Sequence, residues 1–154
     1  MKVELLLNGR RAELECEPLE MLGPVLRRHG LSSVRSTCEI GVCGACTVLV
    51  DGEPTSGCLL LAAEAEGREV TTVEGLGEAD PVRRAFEAVH AFQCGWCTPG
   101  FVLTAKALLE DDPEPSEEAV AEALGGNLCR CGSYVKIVAA VRAAAGGAKR
   151  GGRR

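Results

Sequence analysis

Lys2–Leu7 and Arg11–Glu15 are two runs carrying apolar residues on either side of Asn8-Gly9. That dipeptide is the strongest short-range signal for a tight hairpin turn, so two paired strands are predicted to open the fold. The period then lengthens: Leu19, Leu22 and Leu26 recur at three- and four-residue spacing, with Gly30 as a left-handed stop. This predicts a short helix packed on the hairpin. From Ser36 to Cys46 the pattern breaks into a loop rich in cysteine and glycine. The β-branched run Thr47–Val50 ends at the turn pair Asp51-Gly52, and Glu69–Val73 follows Gly67, which predicts two further strands.

Glu74–Asp80 is polar, glycine-bearing and without period, and reads as a linker. Beyond it the spacing is helical. Asp80-Pro81 is a cap followed by a first-turn proline, and Val82, Phe86 and Val89 share one face of a helix running to about Phe92. Thr98-Pro99 repeats that signal ahead of Phe101–Leu109, Ser116 is placed to cap a third helix stopped by Gly125-Gly126, and Ser133 to cap a fourth running through Ala145. The pattern therefore predicts an α+β chain: a β-rich first half over residues 1–75, a half of four helices over 76–145, and a flexible basic tail, GGAKRGGRR, over 146–154.

Composition narrows the class. With 46% hydrophobic and 25% charged residues among 154, the chain is globular. A net charge of -5 offers the phosphate backbone of nucleic acid nothing to bind. The first residues hold no apolar segment of signal-peptide length, and no run approaches the roughly 18 apolar residues of a membrane span. A cytoplasmic protein is expected. Each half would hold about 70 residues, a size at which a metal centre or a partner surface usually assists the core.

Nine cysteines in such a chain point to metal ligation rather than disulfides, because the cytosol keeps thiols reduced, and an odd count weakens the disulfide reading further. Cys38, Cys43, Cys46 and Cys58 form C-x4-C-x2-C with a fourth cysteine beyond a strand and turn, the plant-type 2Fe-2S spacing. Zinc cysteines usually come as two short pairs, which this loop does not match. Gly41 and Gly44 sit where the loop needs positive φ or close approach. Cys94, Cys97, Cys129 and Cys131 form a C-x2-C and a C-x-C, both just before predicted helices, where dipoles favour thiolate charge. Spacing alone leaves this second set open to a cluster or to zinc.

The remaining candidates carry little chemistry. Cys16 stands alone and reads as a small buried hydrophobe. His29 and His90 are isolated on predicted helices. The acidic run Glu110–Glu114 reads as a solvated loop. No phosphate-cradling loop and no nucleophile-base arrangement is present, so electron movement is expected without chemistry on a substrate.

Together CEIGVCGACTVLVDG with Cys58, then QCGWCTPG, then GNLCRC resemble the iron-sulfur subunit of molybdenum hydroxylases, whose members include xanthine, aldehyde and carbon monoxide dehydrogenases. The resemblance runs from Val3 to about Ala145. It implies a plant-ferredoxin-like β-grasp domain followed by an all-α four-helix 2Fe-2S domain with a pseudo-twofold axis, and therefore a cluster on the second cysteine set. It also implies partners: a large subunit holding a molybdenum-pterin cofactor that hydroxylates the substrate, and commonly a medium subunit holding FAD. Electrons would pass from molybdenum through the helical-domain cluster to the plant-type cluster and on to the flavin. Carried over by position, Gln93 and Cys131 would touch the pterin, Cys131 while also ligating iron. Two departures stand out. Relatives usually have Thr-Gly after the last cysteine, where this chain has Gly132-Ser133, and Trp96 replaces a smaller aromatic. A freestanding two-cluster ferredoxin and a zinc-stapled interaction module are the competing classes. Substrate choice would lie on the large subunit, with xanthine, an aldehyde, an N-heterocycle and carbon monoxide all open.

Overall fold

The structure is a computed structural model describing residues 1–151, with side chains described for residues 1–146. β1 (Lys2–Leu7) and β2 (Arg10–Glu15) pair antiparallel from Lys2↔Glu15 to Leu7↔Arg10. The turn between them puts Asn8 at φ 51° and Gly9 at φ 76°, the doubly left-handed geometry that matches strand twist. Alternation places Val3, Leu5 and Leu14 inside.

α1 spans Leu22–Arg28 and buries Leu22, Val25 and Leu26. Leu19 is not part of its apolar face; it is 80% exposed, two residues ahead of a bridge between Met21 and Leu61 that holds the preceding chain extended.

β3 (Thr47–Val50), β4 (Glu53–Ser56) and β5 (Glu69–Thr71) complete a five-stranded sheet ordered β2-β1-β5-β3-β4, in which only β1 and β5 run parallel. β4 has no periodic signal in its sequence, and Pro54 argues against a strand; it is tolerated because β4 is an edge. β5 stops at Thr71 because the Asn8 side chain takes over the ladder: its Oδ1 accepts from the Thr72 N–H at 2.8 Å, and Val73 turns into a 3-10 turn. The predicted linker is anchored too, since Leu76 is buried and Glu74 accepts from the Ser33 N–H at 2.8 Å.

α2 (Pro81–Ala88) is capped by Asp80, whose carboxylate accepts from the Val82 and Arg83 N–H groups. It ends short of Phe92, because His90 turns left-handed at φ 50°. α3 is Thr98–Asp111, α4 is Glu117–Ala123 with Ser116 accepting from the Ala119 N–H, and α5 is Tyr134–Gly151. Thr98 and Ser133 do not cap as predicted: Thr98 is itself the first helical residue, and neither hydroxyl meets a hydrogen-bond partner. The backbone of α5 continues past Ala145 into the segment read as a tail. Residues 152–154 of that tail lie outside the described residues.

Apolar side chains gather in two clusters, one around the sheet and α1, the other among α2, α3, α4 and α5. β3 joins them by its pleat: Val48 and Val50 belong to the sheet cluster and Leu49, between them, to the helical one. No helix among the described residues is long and apolar enough to cross a membrane.

Candidate metal centres

The eight motif cysteines fall into two places, both beside the junction of sheet and helices. The loop after α1 turns through Glu39 (φ 59°), Gly41 (φ 76°) and Gly44 (φ 66°). Gly44 is required by space as well, since a Cβ there would strike Asn127 and the Gly126 carbonyl, whereas at Gly41 a Cβ would meet only the movable end of the Leu59 side chain. This winding aims backbone N–H groups at sulfur, and the Cys43 N–H donates to Cys38 Sγ at 3.4 Å. N–H groups of Ile40, then of Cys43 and Val42, pull the Cys38 thiol down to about 6. Cys46 sits deeper beside Cys58, and burial pushes its thiol up to about 11. Cys46 and Cys58 line a cavity of about 250 Å³ together with Arg35 and Glu39.

The second set has the same division into outer and inner pairs. Cys94 and Cys131 approach within 3.5 Å, Cys94 exposed, its thiol lowered first by the Trp96 N–H and then by Cys131. Cys97 lies at the start of α3, where burial, then the neighbouring Cys129, pushes its thiol up to about 12. Burial also pushes Cys129 up, but hydrogen bonds led by the Ser133 N–H outweigh it and leave the thiol below its usual value. The Cys129 N–H in turn donates to the Tyr134 hydroxyl at 2.8 Å.

No three thiol, imidazole or carboxylate groups among the described residues come close enough to hold one ion. The sulfurs instead neighbour one another in twos, as a two-iron centre needs with a pair of thiolates on each iron. Surplus donors fit the same group. Among the described residues the buried side-chain atoms without a partner are Arg35 Nε, Thr98 Oγ1 and Ser133 Oγ. Arg35 lines the cavity of Cys46 and Cys58, Thr98 follows Cys97, and the Ser133 N–H donates to Cys129 Sγ at 3.4 Å. Sulfides and thiolates of a cluster are acceptors such donors otherwise lack. Larger clefts lie along the β1–β2 hairpin, away from both sets.

Several residues that join the two places carried no role in the sequence reading. The Cys43 carbonyl accepts from the Leu128 N–H at 2.9 Å, linking a residue of one motif to the neighbour of Cys129. Asn127, buried, donates through Nδ2 to the Gly44 carbonyl at 3.0 Å and accepts at Oδ1 from Thr104 at 2.9 Å. The Trp96 indole donates to Thr37 Oγ1 at 2.8 Å, with the Arg35 guanidinium 4.7 Å from its ring centre. Aromatic residues make up 3% of the chain, and that scarcity was the available signal for Trp96 and Tyr134. Gln93 and Cys131, paired by resemblance, meet: Gln93 Nε2 donates to the Cys131 carbonyl at 3.2 Å. Cys16 is buried in the sheet core as the small hydrophobe its sequence suggests. His29 closes α1 and His90 follows the end of α2.

Comparison with known proteins adds independent findings. Residues 5–75 match a 2Fe-2S iron-sulfur cluster binding domain, and residues 72–142 match a second 2Fe-2S binding domain. The chain is 46% identical to the nicotine 6-hydroxylase small subunit of Paenarthrobacter nicotinovorans, over 95% of this chain and 90% of that one. It is 44% identical to the nicotinate dehydrogenase small FeS subunit of Eubacterium barkeri, over 91% and 92% respectively. Among solved structures, that of quinoline 2-oxidoreductase from Pseudomonas putida 86 superposes at a TM-score of 0.91 with 42% identity, covering 98% of this chain and 97% of that chain.

Proposed function

The chain belongs to the family of iron-sulfur small subunits of molybdenum hydroxylases, carries two 2Fe-2S binding domains, and on that footing we propose that it relays electrons between redox partners held by other subunits. Cys38, Cys43, Cys46 and Cys58 hold a sheet-side cluster, and Cys94, Cys97, Cys129 and Cys131 a helical-side cluster. The domains divide as a β-grasp unit over 1–75 and a four-helix unit over 76–145, in a cytoplasmic complex. When bound, each cluster supplies one-electron oxidation and reduction.

The remaining work belongs to the chain's own residues. The observation that carries the proposal is the Cys43 carbonyl accepting from the Leu128 N–H at 2.9 Å. From the Cys43 sulfur to the Cys129 sulfur the path is then covalent except for that one hydrogen bond, so the two centres are coupled through bonds rather than through solvent. The outer pair supports the direction. Cys94 is exposed, and exposed Gln93 is tied to the Cys131 carbonyl, so both can meet a molybdenum-pterin cofactor in a large subunit. At the other end Ile40 and Val42 are exposed on the loop between Cys38 and Cys43, the side from which an FAD subunit would be reached. A freestanding ferredoxin would have no use for the helical half and its pterin-facing motif.

Low-temperature EPR of the dithionite-reduced chain tests the proposal. Two signals are expected, each near one spin per chain, with magnetic interaction between them. A single signal in fully loaded protein, or two that do not interact, would overturn it.

A further inference from the structure

Ser133 occupies the position just before α5, where a serine normally turns its oxygen outward to accept from an N–H of the first turn. Here it does not. The Ser133 carbonyl accepts the first helical bond from the Ile137 N–H at 3.0 Å, as a cap residue does, but the hydroxyl accepts from no N–H of that turn; it draws near Cys129 without meeting any partner among the described residues at hydrogen-bond geometry, although the residue is 5% exposed. An unpaired hydroxyl so enclosed costs about 1–3 kcal/mol. Such a group persists where an acceptor absent from the protein chain awaits it. The neighbourhood identifies that acceptor. The Ser133 N–H already donates to Cys129 Sγ at 3.4 Å, and Cys129 is itself buried. Sulfur is therefore the acceptor this backbone segment faces, and the hydroxyl extends from the same residue.

We propose that Ser133 is a tuning residue for the helical-side cluster, its hydroxyl donating a hydrogen bond to a sulfur of that cluster and thereby raising its reduction potential. A donor next to sulfur stabilises the added negative charge of the reduced state more than the oxidised state, which sets the sign. Gly132, one position earlier, has a φ of 76° that residues bearing a side chain rarely adopt, so Ser133 is where this segment carries its hydroxyl. The proposal rests on assigning a cluster to Cys94, Cys97, Cys129 and Cys131.

The test is an EPR-monitored redox titration of the assembled complex, with proton ENDOR in H2O and D2O. Ser133→Ala is expected to move the helical-side midpoint downward, leave the sheet-side midpoint in place and remove one exchangeable proton coupling, while Ser133→Thr restores both. An unmoved midpoint, or a coupling that survives the alanine, overturns the proposal. Should Ser133→Ala fail to assemble, the wild type decides: it must show a fast-exchanging proton coupling beyond that of the slowly exchanging N–H, and its absence also overturns the proposal. Failure of the cluster assignment looks different, since the wild type itself would then lack the helical-side signal.

Discussion

Asn127 has both ends of its amide engaged where sheet and helices meet, donating to the Gly44 carbonyl at 3.0 Å and accepting from Thr104 at 2.9 Å while 4% exposed. Asn127→Ala takes the acceptor from the buried Thr104 hydroxyl and leaves the Gly44 carbonyl to Thr47 alone, whose hydroxyl donates to it at 2.7 Å, and the expected loss of stability is about 1–3 kcal/mol, measured as a lowered denaturant midpoint against wild type. The residue stood in the sequence only as part of the GNLCRC run, because its main partner is 83 residues away and no local pattern records such a bond. Thr98 and Ser133 failed for a related reason. A hydroxyl before a predicted helix reads as a cap, and nothing in the sequence says that the folded chain leaves it without a partner at hydrogen-bond geometry. The cysteines and the loop glycines were legible because spacing and positive φ are local requirements, and Gly41 and Gly44 adopt the geometry expected of them.

Elements were readable in proportion to their periodicity. The hairpin, α2 and α4 came from turn and cap chemistry and were placed within a few residues, whereas β4 has a polar sequence with a proline and depends on β3 for its existence. α3 is the element that binds the two halves. Its inward residues Phe101, Leu103 and Ala105 fill the helical core, while Gly100 brings its first turn against the Gly44 carbonyl so closely that a Cβ there would collide. Gly100→Ala is therefore expected to cost about 1–3 kcal/mol, since the obstacle is backbone, which yields less than a side chain. A thermal melt gives the loss. The EPR interaction between the two centres, weakened as α3 is displaced, separates this local wedge from general destabilisation.

The whole molecule is two small hydrophobic cores sharing one strand, with the thiols near the seam. Buried Cys46 and half-buried Cys97 resist ionisation as free thiols, at about 11 and about 12, so on the proposed assignment iron would be what makes them thiolates, and cluster binding would add to folding free energy. Chelating the iron should lower the calorimetric melting temperature of the chain, and reconstitution should restore it. The division into a sheet half and a helical half was legible from the change of period near Glu74, but the seam was not, because hydropathy patterning assigns faces and not their partners. One consequence concerns biosynthesis. The Cys43 and Gly44 carbonyls are sealed by Leu128 and Asn127, which leave the ribosome more than 80 residues later. Until then the nascent sheet half keeps that side of its cysteine loop open to water and to whatever delivers iron and sulfide. The sheet-side loop is accordingly closed only once residues 127 and 128, in the helical half, have been made.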